Sequence, residues 1–411
     1  MIQKEQDYLW DGGSGYGSHI EPLLFIFNNL PKVEKGIELG MGLNSTPLLL
    51  ERIGKLVSVE MQEKSWFDST YDKLKPTNAH WLPICLLGPD GYINLEGDGV
   101  TFALSDGHGS SRPQAVNSFM SKGIETIVGH DTESTWYGWH LVEAAKYGYF
   151  EYQFTEAAPY TTVWTKNEQL ITALKSRSGN GKVLVLNQPK GLGDLIFCQT
   201  LAHSFKHLGY KVIFDTAPEY VEDLNRAYPE ITFMSGACAP AIREEYTKDG
   251  KTVLPLRFSD SLCGTPYKDC MKTKYWLYDR VWQNWKRKAM WVRDLEKEAD
   301  LFYNVLEMKD GMNYVLVNEN FKGNSSIKIK GDPNVIQLAV YMRNIEGFSL
   351  FDWAMVIQKA TEIHSVSTSI IYILELLDIG EIPVHLYKRE PDEKDHSYYD
   401  YLLTKPNYIL K

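Results

Sequence analysis

Two short stretches of this chain bring carboxylates and imidazoles to the ends of apolar runs. Asp106-Gly-His108-Gly-Ser-Ser-Arg112 follows the run 101–106, and His130-Asp131-Thr132-Glu133 follows 124–130. Ligands bind outside the carboxyl ends of strands in a parallel sheet, so these groups would share one crevice. Transfer of a group to a hydroxyl needs an aligned acceptor and something that makes its oxygen more nucleophilic. His108 or His130 could be that base. Asp106 and Asp131 could instead hold a divalent metal ion through oxygen ligands, or simply cap helices and brace loops.

A third segment, Gly36-Ile-Glu38-Leu-Gly40-Met-Gly42-Leu-Asn-Ser45-Thr46-Pro47, joins a strand to a helix. Gly40 and Gly42 would let the turn lie close to a ligand without Cβ clashes. Ser45 or Thr46 would cap the helix, and Pro47 suits its first turn. Glu60 ends the next strand, where an acid can accept hydrogen bonds from ribose hydroxyls. A dinucleotide fingerprint would need a third glycine at position 45, where this chain has Ser45. That departure favours S-adenosyl-L-methionine, which has no pyrophosphate to cradle.

These residues need a sheet to place them. Strand-like runs at 36–39, 56–60, 80–87, 101–106 and 124–130 alternate with helical patterns, which predicts a mostly parallel, doubly wound sheet. Runs 149–156 and 160–166 are joined by a connection too short for a parallel crossover, so they should form an antiparallel hairpin. With that hairpin, residues 19–166 resemble the class I S-adenosylmethionine-dependent O-methyltransferases. The resemblance implies that Glu38, Gly40, Gly42 and Glu60, with Ser45 beside them, contact the cofactor. It also matches the "D-G…R" and "H-D-T" segments above. Metal-dependent relatives carry Asp-Asn where this chain has Asp131-Thr132. The run Trp136-Tyr137-Gly-Trp139-His140 reads either as an acceptor pocket or as a helix burying two tryptophans. Asp11–Ser18 reads as a glycine-rich N-terminal arm.

Lys175-Ser-Arg-Ser-Gly-Asn-Gly181 has linker composition, and a new strand, Lys182–Asn187, starts after it. The turn Lys190-Gly191-Leu-Gly193-Asp194, a helix over 195–208 and a strand at 211–215 make a βαβ opening. Residues 235–310, rich in Trp, Tyr and Lys, read as largely helical. A further opening runs through 314–318, 337–341, a helix at 349–360, a strand near Ile363 and a helix after Ser369. The turn Ser367-Thr368-Ser369 sits at a helix N-terminus, which favours anions, or is a capping turn alone. Lys328 or Lys330 could neutralise a diphosphate leaving group, or belong to a solvated loop. Residues 182–411 resemble heptosyltransferase-like glycosyltransferases of the GT-B type. The resemblance implies Asp194 as acceptor base, with Gly193, Lys328, Ser367, Thr368 and Ser369 around a nucleotide-sugar. The alternative for Asp194 is a helix cap.

The net charge of −10 argues against broad phosphate-backbone binding, so no nucleic-acid partner is expected. The local exception is Lys286-Arg287-Lys288 near Trp282, Trp285 and Trp291, which also reads as an amphipathic helix with a solvated face. The five cysteines show no CxxC pair, so neither a zinc site nor a disulfide scaffold is indicated. No run is apolar enough to span a bilayer and no secretory signal is visible, so a cytoplasmic protein is expected. The expected domains are 1–175, methyltransferase-like, then 182–310 and 311–411 as two GT-B-like lobes. The expected function is a bifunctional transferase that moves methyl and sugar groups to a glycan or small hydroxyl acceptor. The alternatives are one live domain with one acceptor-binding domain, or a non-enzymatic scaffold.

Overall fold

The structure, a computed structural model, describes residues 17–74, 80–93, 95–156, 158–188, 191–236, 246–248, 250–256, 270–276, 278, 280, 282–319, 338–388 and 402–411. The protein is α/β, built on Rossmann-like sheets that are mostly parallel. The chain divides into two compact units. Unit 1 is Met1–Asn180 with Asp279–Gln283, and unit 2 is Gly181–Tyr278 with Asn284–Lys411. Among the described residues no helix is long and apolar enough to cross a membrane.

Unit 1 holds seven strands: β1 (Val33–Leu39), β2 (Ile53–Glu60), β3 (Trp81–Cys85), β4 (Phe102–Ser105), β5 (Thr126–His130), β6 (Phe150–Phe154) and β7 (Thr161–Thr165). Their order is β3-β2-β1-β4-β5-β7-β6. The first five are parallel, and β7 runs antiparallel between β5 and β6. Helices α1 (Ile20–Asn28), α2 (Ser45–Arg52), α3 (Lys64–Leu74), α4 (Arg112–Ser121) and α5 (Glu168–Ser176) accompany the sheet.

The central strands lack the polar alternation of half-exposed strands because both faces are covered. All of β4 is buried. Phe102 and Leu104 enter the core that contains Leu23 and Leu48, whereas Ala103 joins Val116, Phe119 and Ile127. Neighbouring residues of one strand thus feed two separate cores. The hairpin places the Thr165 hydroxyl against that of Thr126, 2.9 Å away and buried. Asn167 then caps α5 by accepting the Leu170 N–H at 2.9 Å.

Unit 2 contains two five-stranded sheets. The first is formed by β8 (Val183–Asn187), β9 (Lys211–Asp215), β10 (Thr232–Met234), β11 (Tyr246–Lys248) and β12 (Lys251–Pro255), in the order β10-β9-β8-β12-β11. The second is formed by β13 (Tyr314–Asn318), β14 (Leu338–Tyr341), β15 (Glu362–Val366), β16 (Val384–Tyr387) and β17 (Tyr408–Leu410), in the order β14-β13-β15-β16-β17. The second sheet is parallel throughout.

The expectation of a largely helical 235–310 holds over Cys270–Trp276, Trp282–Lys288 and Leu295–Val305 and fails at Tyr246–Lys248 and Lys251–Pro255, which are strands. Strand β12 lies inside that range and pairs in parallel with β8. Its sequence, Lys-Thr-Val-Leu-Pro, is short and starts polar, so only burial of Val253 and Leu254 beside β8 makes it a strand. Lys286-Arg287-Lys288 ends a 3-10 turn, Trp282–Lys288, and Trp285 and Trp291 are buried. The single helix read over 195–208 is two, α6 (Leu192–Phe197) and α7 (Gln199–His207), parted at Cys198.

Phe102 is fully buried, with its ring 4.8 Å from that of Phe27. Phe102→Ala should cost about 3–5 kcal/mol of unfolding free energy, read from the urea midpoint at unchanged m-value.

Candidate active site

The β1–α2 turn of unit 1 is fixed by the sheet beneath it. The Gly40 N–H donates to Val59 O at 2.8 Å, and the Asp106 N–H to Leu39 O at 2.8 Å. Gly40 has φ +85°, and a Cβ there would lie 2.2 Å from Asp106 O. Only glycine fits. Gly42 is different: a Cβ would meet nothing nearer than Ser45 Oγ, at 3.4 Å.

Glu38 points under this turn and is fully buried. Its carboxylate accepts from Ser45 Oγ at 2.6 Å, Ser58 Oγ at 2.6 Å and Thr46 Oγ1 at 2.9 Å. Burial pushes its pKa up to about 7 against the pull of the three hydroxyls. Glu38 and Ser45 therefore bind each other beneath the turn. Ser45 and Thr46 do not cap α2 either. Both lie inside the helix, and Asn44 holds the cap position without a side-chain bond. Glu60, at the carboxyl end of β2, accepts the N–H groups of Gln62 at 2.7 Å and Glu63 at 3.3 Å. Burial raises its pKa, and those backbone donors oppose the rise.

The ends of β4 and β5 are joined by Arg112, the first residue of α4. Its guanidinium reaches Asp106 Oδ1 at 3.0 Å and Asp131 Oδ2 at 2.7 Å. It also donates to Gly107 O at 3.1 Å and His130 O at 3.1 Å. The Tyr137 ring covers it, 4.4 Å from centroid to Cζ. Asp106 and Asp131, expected as a metal pair, are thus bridged by an organic cation. Asp131 adopts φ 60°, a left-handed conformation that aspartate tolerates better than most residues.

His130 lies between two acceptors on one side and a hydroxyl on the other. Nδ1 faces Asp106 Oδ2 at 3.3 Å and Asp131 Oδ1 at 3.7 Å. Nε2 meets Ser18 Oγ at 2.8 Å, and Ser18 gives its one proton to Pro159 O at 2.7 Å. With the Ser18 proton on Pro159 O, Nε2 donates to Ser18 Oγ while Nδ1 faces the two acids, an arrangement that suits the imidazolium form. Burial alone would lower its pKa, but Asp106 and then Asp131 outweigh burial and raise it. For Asp106, burial works upward, and His130 with Arg112 holds the carboxyl well below the usual range. Asp106, Asp131 and Ser18 thus occupy both ring nitrogens of His130, and the two acids favour its charged form, which works against the role of base read from the sequence.

His19 packs edge-on against His130, with centroids 4.5 Å apart. Burial, then the His130 charge, lowers its pKa to about 3. Among the described residues neither of its ring nitrogens has a hydrogen-bond partner. One ring nitrogen each from His19 and His130 and a carboxylate oxygen of Asp106 lie within 4.8 Å of one another, the spacing of an ion site, but the set could hold an ion only with His130 in its neutral form. Sequence reading missed Ser18, His19 and the bridging role of Arg112. Ser18 ends the glycine-rich arm, whose residues 11–16 lie outside the described residues, His19 follows it, and nothing local ties either to position 130.

His108 sits half-exposed in the β4–α4 loop, its Nδ1 2.8 Å from Ser110 Oγ. The aromatic run forms two 3-10 turns, Thr135–Tyr137 and Trp139–Leu141, not a helix burying two tryptophans. Trp139 stacks on Trp164 and donates to Asp131 O at 3.0 Å, whereas Trp136 is 93% exposed.

In unit 2, Gly193 lies in the first turn of α6, where a Cβ would fall 2.4 Å from the Tyr372 ring. The residue is glycine because Tyr372 fills its side-chain space. That contact brings the Gly-Asp turn against Ser369, whose Cα lies 3.4 Å from the same Cβ position. Thr368 Oγ1 accepts from Asn318 Nδ2 at 3.4 Å, and Ser367 is buried. Asp194 faces Lys274, a fully buried lysine, at 3.1 Å. Lys274 also donates to Gln188 Oε1 at 2.7 Å and to Leu256 O. Lys328 and Lys330 lie outside the described residues.

Two outcomes follow. Arg112→Met leaves two half-buried carboxylates without their cation and should cost about 3–5 kcal/mol in urea denaturation, with Arg112→Lys recovering part. Glu38 binds a proton in the folded state that the unfolded chain has lost. Stability should therefore fall as pH rises from the ordinary carboxylate range to about 7. The loss should approach roughly 3 kcal/mol. Subtracting the Glu38→Gln curve, measured by thermal melting over the same pH range, isolates this slope.

No family model matches the chain, and no curated protein matches it. Part of the chain is similar to the iron-containing dodecameric glycosyltransferase TibC of enterotoxigenic E. coli, at 10% identity and TM-score 0.34. That likeness covers 51% of this chain and 59% of TibC, so the chain spans little more than half of that structure. The family 9 glycosyl transferase of Veillonella parvula is similar at 8% identity and TM-score 0.29, over 51% of this chain and 82% of its own. An rRNA methylase of Streptococcus thermophilus is similar at 17% identity and TM-score 0.26, over 35% of this chain and 93% of its own.

Proposed function

We propose that unit 1 transfers a methyl group from S-adenosyl-L-methionine to a hydroxyl acceptor. The observation that carries this reading is the open position above Gly42. Gly40 is glycine because the Asp106 backbone, just past β4, demands it, but the described residues put no such demand on Gly42. Glycine there keeps clear a space beside the Glu60 strand end, where a nucleoside's ribose would be held. The residues fit the cofactor. Glu60 offers carboxylate oxygens, and Trp66, anchored to Met41 O at 2.6 Å, flanks the turn with its indole 46% exposed.

The cofactor supplies an electrophilic methyl carbon when bound. The chain's own work is to orient the acceptor and take its proton. His108 is the base in this reading. With Nδ1–H donating to Ser110 Oγ, Nε2 presents its lone pair at the carboxyl edge of the sheet. Arg112, Asp106, Asp131 and His130 form the fixed floor of the loops that carry it.

Unit 2 is read as the sugar-transfer half, acting on the same class of hydroxyl acceptor with a nucleotide-sugar donor. The support is the meeting of the Gly193–Asp194 turn with the Ser367–Ser369 turn. Lys274 Nζ pairs with Asp194 Oδ1 at 3.1 Å and fixes the position of the acid that this reading makes the acceptor base.

Isothermal titration with S-adenosylhomocysteine tests the first reading. Wild type should bind in the micromolar range, Glu60→Ala should weaken binding about a hundredfold, and Gly42→Val should abolish it while melting like wild type. No binding to folded wild type, or unchanged binding to Gly42→Val, removes the methyl-transfer assignment.

A further inference from the structure

The second sheet of unit 2 carries a side-chain cluster that neither transfer reaction uses. Parallel strands are normally apolar on both faces. On β15 and β16 one face is: Ile363, Val384 and Leu386 are buried there. The other face presents Glu362 and His364 from β15, and His385 and Tyr387 from β16, all part-exposed. The register pairs His364 directly with His385.

These groups converge. His364 Nε2 lies 2.7 Å and His385 Nε2 2.8 Å from the same oxygen, Glu362 Oε1. The two rings stack at 4.4 Å with 12° between planes. His364 Nδ1 meets the Tyr387 hydroxyl at 2.9 Å. His385 Nδ1 is buried with no partner among the described residues. A hydrogen-bonded clamp does not need two imidazoles on one carboxylate oxygen.

We propose that Glu362, His364 and His385 form a binding site for one divalent transition-metal ion. One ligand atom from each lies within 4.8 Å of the others. Tetrahedral coordination at zinc distances needs ligand atoms about 3.3 Å apart, so small side-chain rotations open the cluster to the right size. Two imidazoles and one carboxylate select an ion of the zinc, cobalt or iron(II) class over magnesium or calcium, which prefer all-oxygen sites. On binding, the ion takes the Nε2 lone pairs, and each ring carries its proton on Nδ1. For His364 the Tyr387 oxygen accepts that proton and fixes the ring's orientation. Three protein ligands leave a further coordination position on the part-exposed face.

The experiment is cobalt(II) titration of the chelator-treated full chain, followed by visible d–d absorption. One equivalent should give the bands of a nitrogen–oxygen site, and zinc should displace it. His385→Ala and the near-isosteric Glu362→Gln should each lose the bands while retaining the wild-type circular dichroism spectrum. His19→Asn, in unit 1, should keep them. Absence of the bands in wild type, or their survival in Glu362→Gln, overturns the site. Loss in His19→Asn alone places the ion in unit 1 and overturns it equally.

Discussion

Unit 1 depends on one guanidinium. Arg112 holds the carboxylates that end β4 and begin the β5 loop, along with the carbonyls of Gly107 and His130. Two loops that leave adjacent parallel strands are thereby fixed to a single planar group. A forked, permanently charged side chain suits this better than an ammonium, because its donors are already splayed toward two acids. Such a buried ion pair is costly in desolvation and contributes little net stability. What it supplies is position: the β4–α4 loop with His108 cannot drift from the β5 end without breaking several charged contacts.

The same constraint fixes the protonation states around it. Two carboxylates face two cations, Arg112 and His130, so the cluster is balanced. Ser18 completes it by accepting from His130 and donating to Pro159 O. His19 stays neutral beside His130 because burial and that neighbouring charge both oppose its protonation. Two adjacent histidines are thus pushed toward opposite forms.

The order of legibility follows the range of the interactions. The parallel run β1–β5 and the closing hairpin are written in local apolar periodicity and in a short connection, and both could be read from the sequence. The site's acids were visible as well, since strand ends are sequence features. Their roles were not. Glu38 looks like a ligand contact in a motif, yet its oxygens face Ser45, Thr46 and Ser58, and Ser58 lies on another strand. His130 looks like a base until Ser18, 112 residues away in sequence, is placed on its other nitrogen. Strand β12 was hidden for the same reason: its local sequence is weak, and its partner β8 is about 68 residues earlier, by the pairing of Val253 with Val185.

Glycines sort the two units by what their backbones must accommodate. At Gly40 the excluded atom is the carbonyl of Asp106, just past β4, and at Gly193 it is the ring of Tyr372. Both are explained by the protein's own packing and would be glycine in a fold with no ligand at all. Gly42 has neither reason. It lies three residues after the end of β1, in a turn held from below by Glu38 and its three hydroxyls, and its missing side chain faces nothing closer than a serine hydroxyl. Among the described residues, a Cβ at this position would meet only that hydroxyl, in ordinary van der Waals contact. That asymmetry between neighbouring glycines, more than the motif containing them, is what supports the proposed small-molecule site at the carboxyl end of β1.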